Sequence, residues 1–364
     1  MTEWRKARLG DICEISAGGD RPQLVSDKET DICHVPIYSN GVGNDGLYGF
    51  TDKEKVKGDS ITITARGANV GTVFYRKTAY YPIIRLLSLQ PNEELINSRY
   101  LYYLIKDKTF LSTGSAQPQI TVPNISKYVI EYNPDVAVQR RIAEVLSRYD
   151  ALIENYQRQI KLLEEAAQRL YKEWFVDLRF PGHQSTPIIN NLPQSWQKKS
   201  VNDVLTFHRG YDLTKNSFKN GKYPVVGSTS ILGYHCNYKI DGPGIVTGRS
   251  GSLGVYQLIW ENFWPHNTSL YVSDFKGHDI FFIYCLLNTL DFTTLNSGGA
   301  IPSLNRNTLS NIEVLEPSMD LQDAFSRIVK PMFVKQRNLS TQIRNLSEAR
   351  DRLLPKLMSA EIEV

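Results

Sequence analysis

The sequence predicts an α+β chain of two similar globular domains separated by two long antiparallel coiled-coil helices, related by a pseudo-two-fold axis. Three observations predict it. The second half of the 364-residue chain repeats the first at a long, slowly drifting offset. Each half ends in a run whose apolar residues recur in alternating steps of four and three. The rest of each half alternates β-branched and aromatic residues between Gly, Asn and Ser turns.

The repeat is carried by residue types that a shared fold requires. Trp4, Asp11 and Gly18 are echoed by Trp196, Asp203 and Gly210, and Thr64, Arg66 and Gly71 by Thr247, Arg249 and Gly254. Gly114, Ala116, Pro118 and Ser126 are echoed by Gly298, Ala300, Pro302 and Ser310, and Gln139 and Ile142 by Gln322 and Phe325. The offset drifts where loops absorb insertions. Predicted strands in the first half are Val35–Tyr38, Ser60–Thr64, Val70–Tyr75 and Ser126–Tyr132. Those in the second half are Tyr223–Val226, Gly244–Thr247, Leu253–Gln257 and Asn311–Leu315. Arg99–Lys106 and Ile280–Leu290 read as embedded helices.

The long helix of the first half has its seam at Ile142, Leu146, Tyr149, Ile153, Tyr156, Ile160, Leu163, Ala167, Leu170 and Trp174. In the second half the seam is Phe325, Val329, Met332, Leu339, Ile343, Leu346, Leu353 and Leu357, interrupted by Gln336 and Arg350. Pro331, lacking an amide proton, is expected to disturb or start that helix. An apolar stripe of this length requires a partner. The other copy in the same chain supplies one, and a second chain is the alternative. The domains are then 1–136, a long helix over 137–178, a linker over 179–192, a second domain over 193–319 and a closing helix over 320–360.

Composition bounds the function. Hydrophobic residues make up 41% and charged residues 22%, the balance of a folded, soluble chain. No apolar run is long enough for a membrane span, and no signal peptide opens the chain, so a cytoplasmic protein with no membrane partner is expected. Four scattered cysteines form neither a zinc pattern nor a disulfide framework. A net charge of +4 permits nucleic-acid binding without demanding it.

No catalytic motif survives inspection. Gly41, Gly43 and Gly46 fit a dinucleotide fingerprint, but no amphipathic helix follows, and a Gly/Asn loop is the better reading. There is no phosphate-binding GxxxxGK[ST] loop, no Asn/Asp-Pro-Pro-aromatic tetrad, and no Asp/Glu-x-Lys to complete a nuclease site after Pro134-Asp135. Asp135 reads instead as the N-cap of the long helix. No catalytic residue, metal ligand or bound cofactor is assigned.

Two copies of a loop-rich domain on a rigid spacer suit a two-point reader of duplex DNA. At this point the residues resemble a known family. The closing segment Leu353-Leu354-Pro355-Lys356-Leu357-Met358-Ser359-Ala360-Glu361-Ile362 resembles the C-terminal helix of type I restriction–modification specificity (S) subunits. So do Pro317, Gln322 and Phe325 leading into it, and Pro134 with Gln139-Arg140-Arg141-Ile142 centrally. Trp4, Leu9-Gly10-Asp11-Ile12 and Gly18, with Trp196, Asp203-Val204 and Gly210, resemble the openings of that family's target-recognition domains. The first helix departs by ending in Leu170-Tyr171-Lys172-Glu173-Trp174-Phe175. The resemblance implies a non-catalytic subunit of a methyltransferase/restriction endonuclease complex. Each domain would read half of a bipartite, asymmetric DNA site, and the helices would dock two methyltransferase (M) subunits. Restriction (R) subunits would join through the M core. S-adenosylmethionine, ATP and Mg are expected on those partners.

Candidate DNA-contacting residues follow from side-chain chemistry, since Arg reads guanine and Asn or Gln reads adenine. They are Tyr38, Asn40, Arg66, Asn69, Gln117 and Gln119 in the first half. In the second half they are Arg209, Ser228, Arg249, Ser252, His266, Asn267, Asn305 and Arg306. Arg66 and Arg249 recur in both halves and suit a scaffold or phosphate contact better than base readout. Two other classes remain open: a diverged DNA methyltransferase or nuclease, and a coiled-coil adaptor for non-nucleic partners.

Overall fold

The computed structural model describes residues 4–110, 119–218, 221–249, 254–290 and 312–364. Gly114, Ala116, Gln117, Pro118, Ser252, Gly298, Ala300, Pro302, Asn305, Arg306 and Ser310 lie outside them. The chain forms two compact units, one of Met1–Glu154 with Arg344–Val364 and one of Asn155–Ile343.

The first unit begins β1 (Arg5–Arg8), α1 (Leu9–Ile12), β2 (Cys13–Ala17), β3 (Val35–Tyr38), β4 (Leu47–Thr51) and β5 (Ser60–Ile63). It continues β6 (Val73–Arg76), β7 (Tyr81–Pro82), β8 (Leu87–Pro91), α2 (Ser98–Ile105), α3 (Val122–Ser126) and β9 (Val129–Tyr132). A four-stranded sheet has the order β2-β8-β5-β6, a three-stranded sheet the order β4-β3-β7, and β1 pairs with β9. The β5 strand, Ser-Ile-Thr-Ile, is buried at all four positions, so it lacks the alternation of exposed and buried residues that a half-solvated strand shows. Ile61, Ile63, Leu87 and Leu89 from the sheet form one core with Tyr100 and Leu101 of α2. Full burial of an aliphatic side chain of this kind stabilises by about 1.5–3 kcal/mol.

The long helix α4 runs Val136–Tyr171. Asp135 caps it as expected: Oδ1 accepts from the amides of Ala137 at 2.8 Å and Val138 at 3.3 Å. Ile142 and Leu146 join the first unit's core, as do Leu354 and Leu357 of the closing helix.

In the second unit a π-helical turn over Lys172–Val176 ends the central helix, and the hairpin β10 (Ile188–Ile189) and β11 (Leu192–Pro193) follows. Then come β12 (Gln197–Ser200), α5 (Val201–Val204), β13 (Thr206–Arg209), β14 (Tyr223–Val226), β15 (Ile231–His235) and β16 (Gly244–Gly248). The unit continues β17 (Tyr256–Ile259), β18 (Trp264–Pro265), β19 (Ser269–Asp274), α6 (Ile280–Leu287) and β20 (Glu313–Glu316). The last helix, α7, runs Met319–Met358.

The sheet orders repeat those of the first unit strand for strand: β13-β19-β16-β17, β15-β14-β18 and β12-β20. In both, β3 and β14 pair in parallel with the two-residue strands β7 and β18. The duplication read from the sequence is therefore a duplication of topology. It also explains the paired glycines. A Cβ on Gly18 would lie 2.7 Å from the Pro82 carbonyl carbon, and one on Gly210 only 2.0 Å from the His266 carbonyl oxygen. Thr64 and Thr247 are both fully buried, and each donates its hydroxyl across its own hairpin, to the carbonyls of Asn69 and Val255.

Every predicted seam residue is buried or half-buried. In the second unit the two helices run antiparallel. The Phe325 ring packs 5.7, 5.9 and 5.2 Å from those of Tyr171, Trp174 and Phe175, while Gln336 donates to the carbonyl of Ile160 at 3.3 Å. In the first unit Arg350 pairs with Asp150 at 2.6 Å. Both polar interruptions of the seam thus reach across to the facing helix.

Three expectations are corrected. Pro331 neither starts nor breaks α7, which passes through it from Met319. Pro331 and Arg327, whose carbonyl loses its amide partner, are both exposed, so the freed acceptor is not confined to the apolar seam. Residues 64–72 form a hairpin loop, with Gly67 and Gly71 at positive φ, and the predicted strand at Val70–Tyr75 begins only at Val73. Val122–Ser126 is a helical turn with Pro123 in its first turn, so the predicted Ser126–Tyr132 strand shortens to Val129–Tyr132.

Candidate nucleic-acid interface

In the first unit the loops that follow β2, β3, β5 and β7 are tied together at one place. Asn40 is the knot: its Oδ1 accepts from the Ala65 amide at 2.7 Å, and its Nδ2 donates to the Ile84 carbonyl. Gly18 and Gly19 join the same cluster, accepting from the amides of Arg85 and Ile84 at 2.9 Å. Arg66 and Asn69 stand exposed on the hairpin loop, and Arg66 Nη2 donates to Gln119 Oε1 at 3.1 Å. Tyr38, Asn40, Arg66, Asn69 and Gln119 thus belong to one loop cluster. The Asn40 amide is spent on the scaffold, whereas Arg66 and Asn69 face solvent.

Tyr38 is held by a group that sequence reasoning missed. The buried Arg76 guanidinium lies 3.6 Å from the Tyr38 ring centroid, and Tyr80 meets that ring edge-on at 5.6 Å. Arg76 Nε donates to Thr62 Oγ1 at 2.9 Å, and Nη2 donates to the Asp45 carbonyl at 2.8 Å. Burial pulls the guanidinium below its ordinary value, and nearby Tyr38, Tyr80 and Asp45 oppose that shift. Arg76 therefore pins the turn over Gly43–Gly46, whose Asn44 and Asp45 have φ of 48° and 52°. That turn feeds β4, so the glycine-rich stretch is a loop between strands, as its sequence context indicates.

The second unit gathers its equivalent loops around His266 and Thr268. His266 Nε2 donates to the Leu213 carbonyl at 3.0 Å, and Asn267 Nδ2 donates to Asp212. The Thr268 carbonyl accepts from Ser228 Oγ at 2.8 Å and from the Arg249 amide at 3.2 Å. Arg209 and Arg249 have exposed side chains, the former 3.5 Å from Asp212. Ser228, His266 and Asn267 build the cluster, while the two arginines project from it.

A buried glutamine fastens each β-rich domain to its long helix. In the first unit Gln139 Oε1 accepts from the Asn97 amide at 2.7 Å, at the N-cap of α2. Its Nε2 donates to the carbonyls of Asn133 at 2.7 Å and Leu95 at 3.3 Å. In the second unit Gln322 Oε1 faces His278 Nδ1 at 2.8 Å, one residue before the N-cap of α6, and Nε2 donates to the Pro317 carbonyl at 2.9 Å. Both side chains are at most 1% exposed. The sequence repeat pairs these residues, and their hydrogen bonds to backbone groups otherwise unpaired among the described residues explain why a polar residue is retained there.

Among the described residues no group of three or more His, Cys, Asp or Glu side chains is placed to hold a metal ion, and no helix is long and apolar enough to cross a membrane.

Comparison with known proteins agrees with this architecture. The family model described as type I restriction modification DNA specificity domain matches twice, over residues 1–165 and 193–347. The MjaIX specificity subunit of Methanocaldococcus jannaschii is 29% identical over 340 residues, covering 84% of this chain and 78% of that protein. The HindI specificity subunit of Haemophilus influenzae aligns over the whole of both chains at 22% identity. The crystal structure of a type I restriction–modification S subunit from M. genitalium shares the fold, with a TM-score of 0.66 over 98% of this chain and 96% of that one, at 19% identity. With two matched segments spanning most of its length, each carrying one copy of the doubled topology, this chain belongs to the type I restriction–modification DNA specificity family.

Proposed function

We propose that the chain is the sequence-reading, non-catalytic subunit of a cytoplasmic type I restriction–modification complex. Each recognition domain reads one half of a bipartite, asymmetric site in double-stranded DNA. The long helices dock two M subunits and fix the unread gap, and R subunits join through the M core. S-adenosylmethionine, ATP and Mg act on those partners. The observation that carries this reading is the paired loop clusters: one topology, twice, with different side chains at corresponding places, as two unlike half-sites require.

Within that reading, exposed Asn69 and Arg209 are suited to base edges in the major groove, since they belong to one copy each. Arg66 and Arg249 recur and are suited to phosphates. Gln117, Ser252, Asn305 and Arg306 stay candidates by chemistry alone. Asn40, Ser228, His266 and Asn267 act by shaping the loops that present the others.

The test is methylation sequencing of a host carrying this chain and its M partner, followed by exchange of residues 1–136 for another recognition domain. One half of the methylated motif is expected to change. A change in both halves defeats the modular reading. Binding of S-adenosylmethionine or Mg to the purified chain in calorimetry favours a diverged enzyme instead.

A further inference from the structure

Exposed side chains retained in both copies call for a different explanation from buried ones, because packing does not hold them in place. Lys55 and Lys239 are such a pair. Both are exposed, and among the described residues neither forms an ion pair. Their sequence surroundings differ: Asp52-Lys53-Glu54 precedes one, and Cys236-Asn237-Tyr238 the other. Their backbone positions are the same. The Lys55 amide donates to the Tyr80 carbonyl, and the Lys239 amide to the Phe263 carbonyl, both at 3.0 Å. The next residues, Val56 and Ile240, bridge to Tyr80 and Phe263.

Each ammonium is then held over the aromatic ring that opens the short parallel strand. Lys55 Nζ lies 5.8 Å from the Tyr81 centroid, and Lys239 Nζ lies 5.0 Å from Trp264 and 5.5 Å from Tyr211. Those strands lead directly into Ile83–Arg85 and His266–Thr268, the segments that build the loop clusters. The rings restrain the charge without neutralising it.

Resting on the DNA-reading function above, we propose that Lys55 and Lys239 are equivalent phosphate anchors, one per recognition domain, that fix each loop cluster on the duplex independently of base sequence. Two domains reading unlike half-sites share no base contacts, but they meet the same sugar–phosphate backbone. An exposed cation preserved at one place in both copies matches that shared feature.

The experiment uses the chain assembled with its M partner, on a duplex bearing the methylated motif, with affinity measured across a salt series. Lys55→Met and Lys239→Met are each expected to lower the steepness of log K against log salt by about 0.9, and the double variant by about 1.8. Matched and mismatched duplexes weaken alike, and the methylated motif is unchanged. Lys55→Arg and Lys239→Arg keep the charge and the native slope. An unaltered slope in a folded double variant, beside a wild-type complex that binds its site, overturns the anchors while leaving the function standing. A changed motif also overturns them, by making the lysines base readers. Wild-type complex with no sequence-dependent binding would defeat the DNA-reading function itself.

Discussion

Asp150 of the first long helix and Arg350 of the second are joined by a 2.6 Å ion pair in which both side chains are three-quarters or more buried. Arg350 also meets Asp351 at 2.8 Å, and Tyr103 of α2 donates its hydroxyl to Asp150. Burial opposes the charge on Arg350, but Asp150 and Asp351 outweigh it and hold the guanidinium above its ordinary value.

Removing Asp150 should therefore cost more than removing the pair. Asp150→Ala leaves Arg350 with one partner in a partly desolvated site, and a loss of about 1–2 kcal/mol is expected in denaturant melts. The double variant Asp150→Leu/Arg350→Leu restores an apolar seam and should recover most of that loss. A double variant less stable than the single one would contradict this account.

The glutamine clamps predict a local effect. Gln139→Met keeps the volume but strands the Asn97 amide and the Asn133 carbonyl, at about 1–3 kcal/mol for each buried group left unpaired. Hydrogen exchange should rise first in α2. Gln322→Met should do the same at the start of α6. Unchanged protection at these helices would remove the clamps from the explanation.

Pro331 on the exposed face of α7 is a site where stability can be gained. Pro331→Ala supplies the missing amide to the Arg327 carbonyl and relieves ring crowding, and a gain of about 1–3 kcal/mol is expected. A loss on thermal or chemical unfolding would mean that the proline serves a purpose that the helix geometry does not reveal.

The cysteines should separate by reactivity. Burial pushes the Cys13 thiol up to about 12 and raises that of Cys285, while Cys33 is buried and Cys236 exposed. Alkylation of native protein at pH 8, read by mass spectrometry, should give one adduct, at Cys236. Because the unfolded thiol ionises at its ordinary 9.0, Cys13 contributes stability that is full below that pH and fades as pH climbs toward 12. Alkaline solution should therefore release Cys13 to alkylation together with unfolding.

The doubled topology and the helix seams were legible because both are periodic. A four–three spacing of Ile, Leu and aromatic residues leaves few alternatives, and the glycines at 18 and 210 repeat because the neighbouring backbone forbids a Cβ. Pro331 was misjudged because a linear pattern does not tell which helix face loses the hydrogen bond. The loop cluster was legible as a set of residue types but not as a division of labour. That Asn40 braces and Arg66 projects depends on where Ile84 and Gln119 arrive, long contacts that no local pattern encodes. Arg76 was missed because nothing in Val-Phe-Tyr-Arg marks its last residue for burial.

Arg76 closes β6 at the place where Ile259 closes β17, and both side chains are buried. The copies therefore share a backbone path while their interiors have become mutually incompatible. A hybrid with its junction between Tyr38 and Arg76 would confine a cation without its aromatic shelf, or leave that shelf facing an aliphatic residue. A junction in the central helix keeps Arg76 with Tyr38, and Ile259 with its own neighbours, leaving only the helix contacts of Leu354 and Leu357 to be matched between parents. Recombinant libraries from this gene should thus yield folded products mainly when breakpoints respect the domain edges.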